Sequence, residues 1–226
     1  MSNLNSKWIG IYERMDAFWL HGGDPRQPHA LLTSGLHSNG FCNNKVIIPD
    51  DSVMASAATD LVMLFARERV SEDDSFDGVV GPATGATKLA VFMAAMQQKH
   101  FKKDCFHASP VKSDHAGERT MVFSTSELVA IRGKSVLLCE DVITTGGSVE
   151  RTVAAVKEAG GMALSFVCAL VNRSGLRDIG GRKILSLIDR EMPMWEPDDC
   201  PLCKRGSQAI RPKDPASNWA LLKASH

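Results

Sequence analysis

The stretch Val136-Leu137-Leu138-Cys139-Glu140-Asp141-Val142-Ile143-Thr144-Thr145-Gly146-Gly147-Ser148 decides the fold class of this chain. Its first four residues are an unbroken apolar run, the length of a strand buried on both faces. The run stops at two adjacent carboxylates. That places Glu140 and Asp141 at the carboxyl end of the strand, the edge at which open α/β sheets bind ligands. A segment dense in hydroxyls and glycine follows, from Thr144 to Ser148. It leads into Val149, Val153 and Val156, spaced as one face of a helix that Gly160-Gly161 ends. Loop and helix-start N–H groups suit a phosphate, and paired acids accept hydrogen bonds from sugar hydroxyls. The pattern predicts an α/β fold with a site for a phosphorylated sugar.

The remaining composition narrows the class. A length of 226 residues suits one large domain, or one domain with a modest appendage. Hydrophobic residues at 44% and charged residues at 23% support an ordinary globular core. The formal charge of zero gives no global field to recruit nucleic acid or an anionic membrane. No apolar run approaches the roughly 20 residues of a membrane helix, and the N-terminus lacks the apolar core of a signal peptide. The six cysteines are scattered, and Cys139 and Cys168 lie inside apolar runs, which reads as buried thiols in a reducing cytoplasm.

The segment Glu140 to Ser148, behind its hydrophobic strand, resembles the phosphoribosyl-pyrophosphate (PRPP) motif of type I phosphoribosyltransferases. The resemblance implies a mainly parallel sheet flanked by helices, with a small N-terminal hood. Residues 1–49 would form a helix and the hood, 50–190 the PRPP-binding core and 191–226 a tail. The activity implied is Mg²⁺-dependent transfer of a 5-phosphoribosyl group from PRPP to a ring nitrogen. Glu140 and Asp141 would hold the ribose hydroxyls, while Val142, Ile143, Thr144, Thr145, Gly146, Gly147 and Ser148 would receive the 5-phosphate end. Earlier, Gly81-Pro82-Ala83-Thr84-Gly85-Ala86 resembles the family's pyrophosphate loop, so Pro82, Ala83, Thr84 and Gly85 are expected at the diphosphate. Lys88, just beyond, is either a phosphate contact or a surface lysine.

Two further segments are similar to the orotate branch of that family. Ala30 to Asn43 matches the hood, where Phe41 would frame a pyrimidine, although Gly40 and Cys42 replace a second aromatic neighbour. Arg173, in Asn172-Arg173-Ser174-Gly175, matches an arginine that pairs with the orotate carboxylate, a role suited to a guanidinium fork. Between Phe101 and Leu128 the family has a mobile lid, and Lys112 and His115 would arrive with it. Ser109-Pro110 stands where a basic residue is usual. The implied partners are PRPP, orotate and a second copy of the chain in a homodimer, with no nucleic acid and no membrane. Another acceptor base, or a PRPP-sensing regulator without turnover, remains open.

Other stretches carry structural expectations. Trp8, Tyr12, Met15 and Trp19 share a helical stripe. Asp50 to Arg69 reads as a long helix capped by Asp51 or Ser52, and Ser71 to Ser75 as an acidic turn. Cys200-Pro201-Leu202-Cys203 looks like a zinc knuckle. A closed site needs four ligands and no second pair is visible in the sequence, so no protein-held metal is expected. Pro212 to His226 reads as a loosely ordered end.

Overall fold

The computed structural model describes residues 2–69, 75–115 and 118–224, so residues 71–74 of the expected acidic turn lie outside the described residues. Helix α1 (Ser2–Arg14) buries Trp8 and Tyr12 completely. The helical stripe does not continue to Trp19, which lies in strand β1 (Phe18–Leu20). The helix ends because Asp16 takes φ 55°, a conformation Asp tolerates, and Ala17 N–H closes the turn onto the Tyr12 carbonyl at 2.7 Å. Short strands β2 (His29–Leu31), β3 (His37–Ser38) and β4 (Gly40–Cys42) follow, then α2 (Asn44–Ile47) and α3 (Asp51–Glu68). The cap of α3 is Asp50, one residue earlier than expected, whose carboxylate accepts from Val53 N–H at 3.0 Å.

The core then alternates strand and helix: β5 (Gly78–Val80), α4 (Thr87–Phe101), β6 (Phe106–Ala108), β7 (Val111–His115), β8 (Glu118–Val122), α5 (Thr125–Ile131), β9 (Ser135–Ile143), α6 (Gly147–Glu158), β10 (Met162–Asn172), β11 (Asp178–Ile179) and β12 (Arg182–Asp189). Six strands form the main sheet in the order β11-β12-β10-β9-β5-β6. All pairs are parallel except the antiparallel edge β11–β12. Strand β9 lies inside the sheet and is buried on both faces. Leu137 and Cys139 join the core of Leu61, Phe65, Leu89 and Met93, while Val136 and Leu138 join Ile131, Val149 and Val156. From β5 the chain moves outward to β6, and from β9 it moves outward the other way to β10 and β12. The order therefore reverses between β5 and β9, the position at which such sheets open a ligand crevice.

The segment read as a mobile loop holds strands β7 and β8, an antiparallel hairpin. Behind it, Ser124 and Glu127 form a capping box at α5, and Met121 and Phe123 are buried in the core beside α6. The tail adds β13 (Met194–Trp195), β14 (Ala209–Ile210) and α7 (Ser217–Lys223). A second sheet, ordered β13-β3-β2-β14, joins the hood and the tail. No helix among the described residues is long and apolar enough to cross a membrane.

The tail is docked rather than loose. Trp19 Nε1 donates to the Leu222 carbonyl at 2.7 Å, and Trp219 Nε1 donates to Asp16 Oδ2 at 2.7 Å. Leu222 is fully buried with Trp19 and Ala30. Deleting such a side chain costs about 2–5 kcal/mol, and each kcal/mol is worth about 2–4 °C in a chain of this size. Leu222→Ala should therefore lower the Tm by at least about 4 °C in a calorimetric scan, and an unchanged Tm would mean that the tail is free.

Candidate active site

The ladder of β9 with β10 carries both acids to the end of the sheet, pairing Glu140 with Ala169 and Val142 with Val171. Glu140 is buried, and its two oxygens accept from Ser148 Oγ at 2.8 Å and from Asp141 N–H at 3.2 Å. Burial first, and the neighbouring Asp141 charge second, push the Glu140 carboxyl up to about 8. Asp141 is half-buried and is held from a distant part of the chain. Asn44 Nδ2 donates to its carbonyl at 3.1 Å and approaches its carboxylate at 3.5 Å. The Asn44 amide is oriented in turn by Tyr12, whose hydroxyl donates to Asn44 Oδ1 at 2.9 Å. Burial, then the charges of Cys42 and Asp141, hold the Tyr12 phenol well above its ordinary value, so it stays a donor. The loop after β5 meets Asp141 directly: a Cβ on Gly85 would stand 2.7 Å from Asp141 Cγ.

Beyond the acids, Val142 and Ile143 pack into the two cores and Ile143 is buried, so their side chains face the interior. Thr144 and Thr145 are exposed, and Gly146 takes φ 84° as the N-cap of α6 without a side-chain cap. Only a residue free of Cβ strain makes this turn easily. The first N–H groups of α6 thus face an open loop, an arrangement suited to a phosphate. The Ser148 hydroxyl donates to Glu140 and so supports the acid, while its N–H lies in the first turn of α6.

In the Gly81–Gly85 loop, the N–H groups of Gly81 and Ala83 are engaged within the fold. Gly81 N–H donates to the Ala108 carbonyl at 3.1 Å and Ala83 N–H to the Pro110 carbonyl at 2.9 Å. The N–H groups of Thr84 and Gly85 have no partner among the described hydrogen bonds. Lys88 is not a free phosphate contact: it binds Asp51 at 2.6 Å and the Pro49 carbonyl at 2.8 Å.

Arg173 is carried by the end of β10, its N–H donating to the Ile143 carbonyl at 3.0 Å. The residue is 5% exposed, and its guanidinium donates to Ser38 Oγ at 2.5 Å and the Met192 carbonyl at 3.2 Å. Its Nε has no partner, and no carboxylate pairs with it among the described residues. Burial lowers its ordinary value, with Cys42 opposing. An interior guanidinium without its anion is suited to a carboxylate brought by a ligand.

Phe41 on β4 finds its second aromatic in the tail, since Trp219 packs edge-on at 6.0 Å. A side chain at position 40 would strike Leu20 and Met192 at 2.7 Å, which is why glycine stands there. Lys213 Nζ lies 4.8 Å from the Phe41 centroid, and Phe41, Lys45, Arg211 and Lys213 line one open depression. Burial and Lys45 lower the Lys213 ammonium, while Asp141 raises it.

Sequence reasoning missed Asn44, Tyr12 and Lys213. Only the spacing of Tyr12 was visible, and it read as packing. Lys112 is exposed on the hairpin opposite Met121, and it makes no contact with the acids among the described residues. The side chain of His115 lies outside the described residues. The premise that Cys200 and Cys203 lack companions is corrected, because His29 and His37 stand beside them. They come from the hood, at a distance in sequence that no spacing rule covers.

Residues 52–193 match the phosphoribosyl transferase domain family. An orotate phosphoribosyltransferase of Caldicellulosiruptor bescii is 31% identical over 81% of this chain and 87% of its own length. One from Acidithiobacillus ferrooxidans is 30% identical over 90% of this chain and 94% of its own. Among solved structures, the Mycobacterium tuberculosis orotate phosphoribosyltransferase in complex with Fe(III) dicitrate superposes with a TM-score of 0.58 at 21% identity. That match covers 82% of this chain and 96% of the other.

The raised Glu140 has a consequence for stability. The folded chain holds this proton more tightly than the unfolded chain, so ionising Glu140 destabilises the fold. The penalty grows as pH rises from the ordinary value of 4.5 through about 8. Glu140→Gln keeps an acceptor for Ser148 and removes the charge. Without ligand, the variant should melt several degrees above wild type at pH 8 and level with it at pH 5. A variant that melts below wild type at pH 8 would mean that the carboxylate is not strained.

Proposed function

This chain belongs to the phosphoribosyl transferase domain family, and from that membership we propose that it is an orotate phosphoribosyltransferase. It would transfer the 5-phosphoribosyl group of PRPP to orotate, giving orotidine 5'-phosphate and pyrophosphate. The observation that carries the choice of base is Arg173, an interior guanidinium with an unpartnered Nε at the end of β10, beside the acid pair of β9. Uracil and adenine carry no carboxylate for it.

The residues divide the work by charge. The N–H groups of Gly147 and Ser148, with the Thr144 and Thr145 hydroxyls, receive the 5-phosphate. Thr84 and Gly85 offer N–H groups to the diphosphate. Glu140 and Asp141 accept hydrogen bonds from the ribose hydroxyls, and their negative charge faces the ribose as the C1–O bond loosens and positive charge develops on the ring. Phe41 supports the base and Arg173 fixes its carboxylate, which aligns the ring nitrogen with C1 and contributes through orientation. The hairpin with Lys112 and His115 covers the site of the second subunit in a homodimer, since Lys112 makes no described contact with its own acids.

The acid pair also fits Mg²⁺, which takes one or two carboxylates together with substrate phosphates and keeps several waters. Among the described residues the acids offer no third ligand, in keeping with an ion that arrives with PRPP. When bound, the ion would neutralise charge on the leaving diphosphate.

Pyrophosphate release from PRPP and Mg²⁺ should be fast with orotate and at background with uracil or adenine, which lack the carboxylate. Arg173→Lys keeps the charge and loses the fork, and it should raise KM for orotate about tenfold or more, given the ~1.5–3 kcal/mol of a charged hydrogen bond, while PRPP affinity is unchanged. Faster turnover with another base would overturn the choice of orotate.

A further inference from the structure

The hood hairpin and the tail make a second constellation, away from the acid pair. In the register of β2 and β3, Leu31 faces His37 and Ala30 faces Ser38, so His29 and His37 are diagonal neighbours on one face of the hairpin. The tail clamps both edges. Trp195 of β13 pairs with His37, and Ala209 of β14 pairs with His29. The chain between these strands must cross the sheet, and it brings Cys200 and Cys203 over the histidine face.

Four ligand atoms converge there. His29 Nε2 lies 3.1 Å from His37 Nδ1 and 3.5 Å from each of Cys200 Sγ and Cys203 Sγ. Cys203 Sγ lies 3.3 Å from His37 Nδ1, and all four atoms fall within 4.8 Å of one another. Tetrahedral zinc with nitrogen at about 2.0–2.1 Å and sulfur at about 2.3 Å sets its ligand atoms about 3.3–3.8 Å apart.

Hydrogen bonding does not account for this crowding. Ser207 Oγ spends its proton on the Gln27 carbonyl at 2.7 Å, so at 2.8 Å it can only accept from His29 Nδ1–H. That leaves His29 Nε2 as a single lone pair facing three heteroatoms. A histidine ligand held through its other ring nitrogen is the usual arrangement around a metal. His29 is fully buried, so water does not compete for that lone pair.

We infer that His29, His37, Cys200 and Cys203 form a structural zinc site that fastens the hood to the tail. All four positions are filled by protein, the mark of a closed rather than a catalytic site. The linked segments are 171 residues apart between His29 and Cys200. Fastening them holds the tail that carries Arg211, Lys213 and Trp219 against Phe41. The assignment is independent of the reaction proposed above.

The full chain, purified without chelator and without a metal-affinity column, should contain close to one zinc per chain by elemental analysis. Removing the metal should lower the Tm, and Zn²⁺ but not Mg²⁺ should restore it. Co²⁺ in its place should give the intense visible bands of a tetrahedral thiolate site. Cys203→Ser should abolish stoichiometric zinc. In case that variant folds poorly, Ser207→Ala keeps all four ligands and should weaken zinc about 10–100-fold. Reduced wild-type protein that contains no zinc and takes up none on titration with Zn²⁺ would overturn the site. So would full zinc retention in Cys203→Ser.

Discussion

Two adjacent acids stand at the end of a buried strand, and among the described residues no cation pairs with the inner one; the site is arranged around that fact. Burying an acid is costly unless hydrogen bonds or charge compensate. For Glu140 the compensation is partial: one hydroxyl from Ser148 and one N–H from Asp141. The remaining penalty favours ligands that bring positive charge or hydroxyl donors. Asp141 is handled differently, through the chain Tyr12–Asn44–Asp141, which fixes its backbone and leaves the carboxylate half-exposed. One acid is kept inside and under electrostatic tension, and the other is presented to the crevice.

That crevice exists because the sheet reverses its order between β5 and β9, and glycine lets the two loops close on each other. Gly81 approaches Cys139 and the Ala86 carbonyl, and Gly85 approaches Asp141, each within distances that a Cβ would occupy. The hood closes the other side. Its hairpin is too short to be stable by itself, and it gains both neighbouring strands from the tail. Phe41, Ser38 and Arg173 are therefore positioned by residues from three parts of the sequence.

Local signals were legible where one segment carried both its element and its chemistry. Strand β9, the acids, the Gly146 turn and α6 lie within 24 residues, from Ser135 to Glu158, and all were readable from pattern. The end of α1 was misread because Trp19 keeps helical spacing while Asp16 breaks the backbone. The tail was misread because its order comes from contacts with Trp19 and Asp16, each 203 residues away. Asn44 reaches Asp141 across 97 residues, and the two histidines reach the cysteines across even longer spans. No window along the chain contains those pairings. The hairpin of Lys112 was read as a loop because its Ser, Asp, Gly and Glu content suits mobility, while its order rests on Met121 and Phe123 in the core.

In the proposed reaction the acid pair of β9 receives PRPP, and Glu140, whose burial favours the protonated form, gives up its proton to meet it. Calorimetric titration with PRPP and Mg²⁺ at pH 7, repeated in two buffers of different ionisation enthalpy, counts the protons released on binding. Wild type should release about one proton more than Glu140→Gln, because a carboxyl raised above 7 must ionise to meet the ligand. Equal proton release by the two proteins, or no binding of PRPP to wild type, would contradict the account.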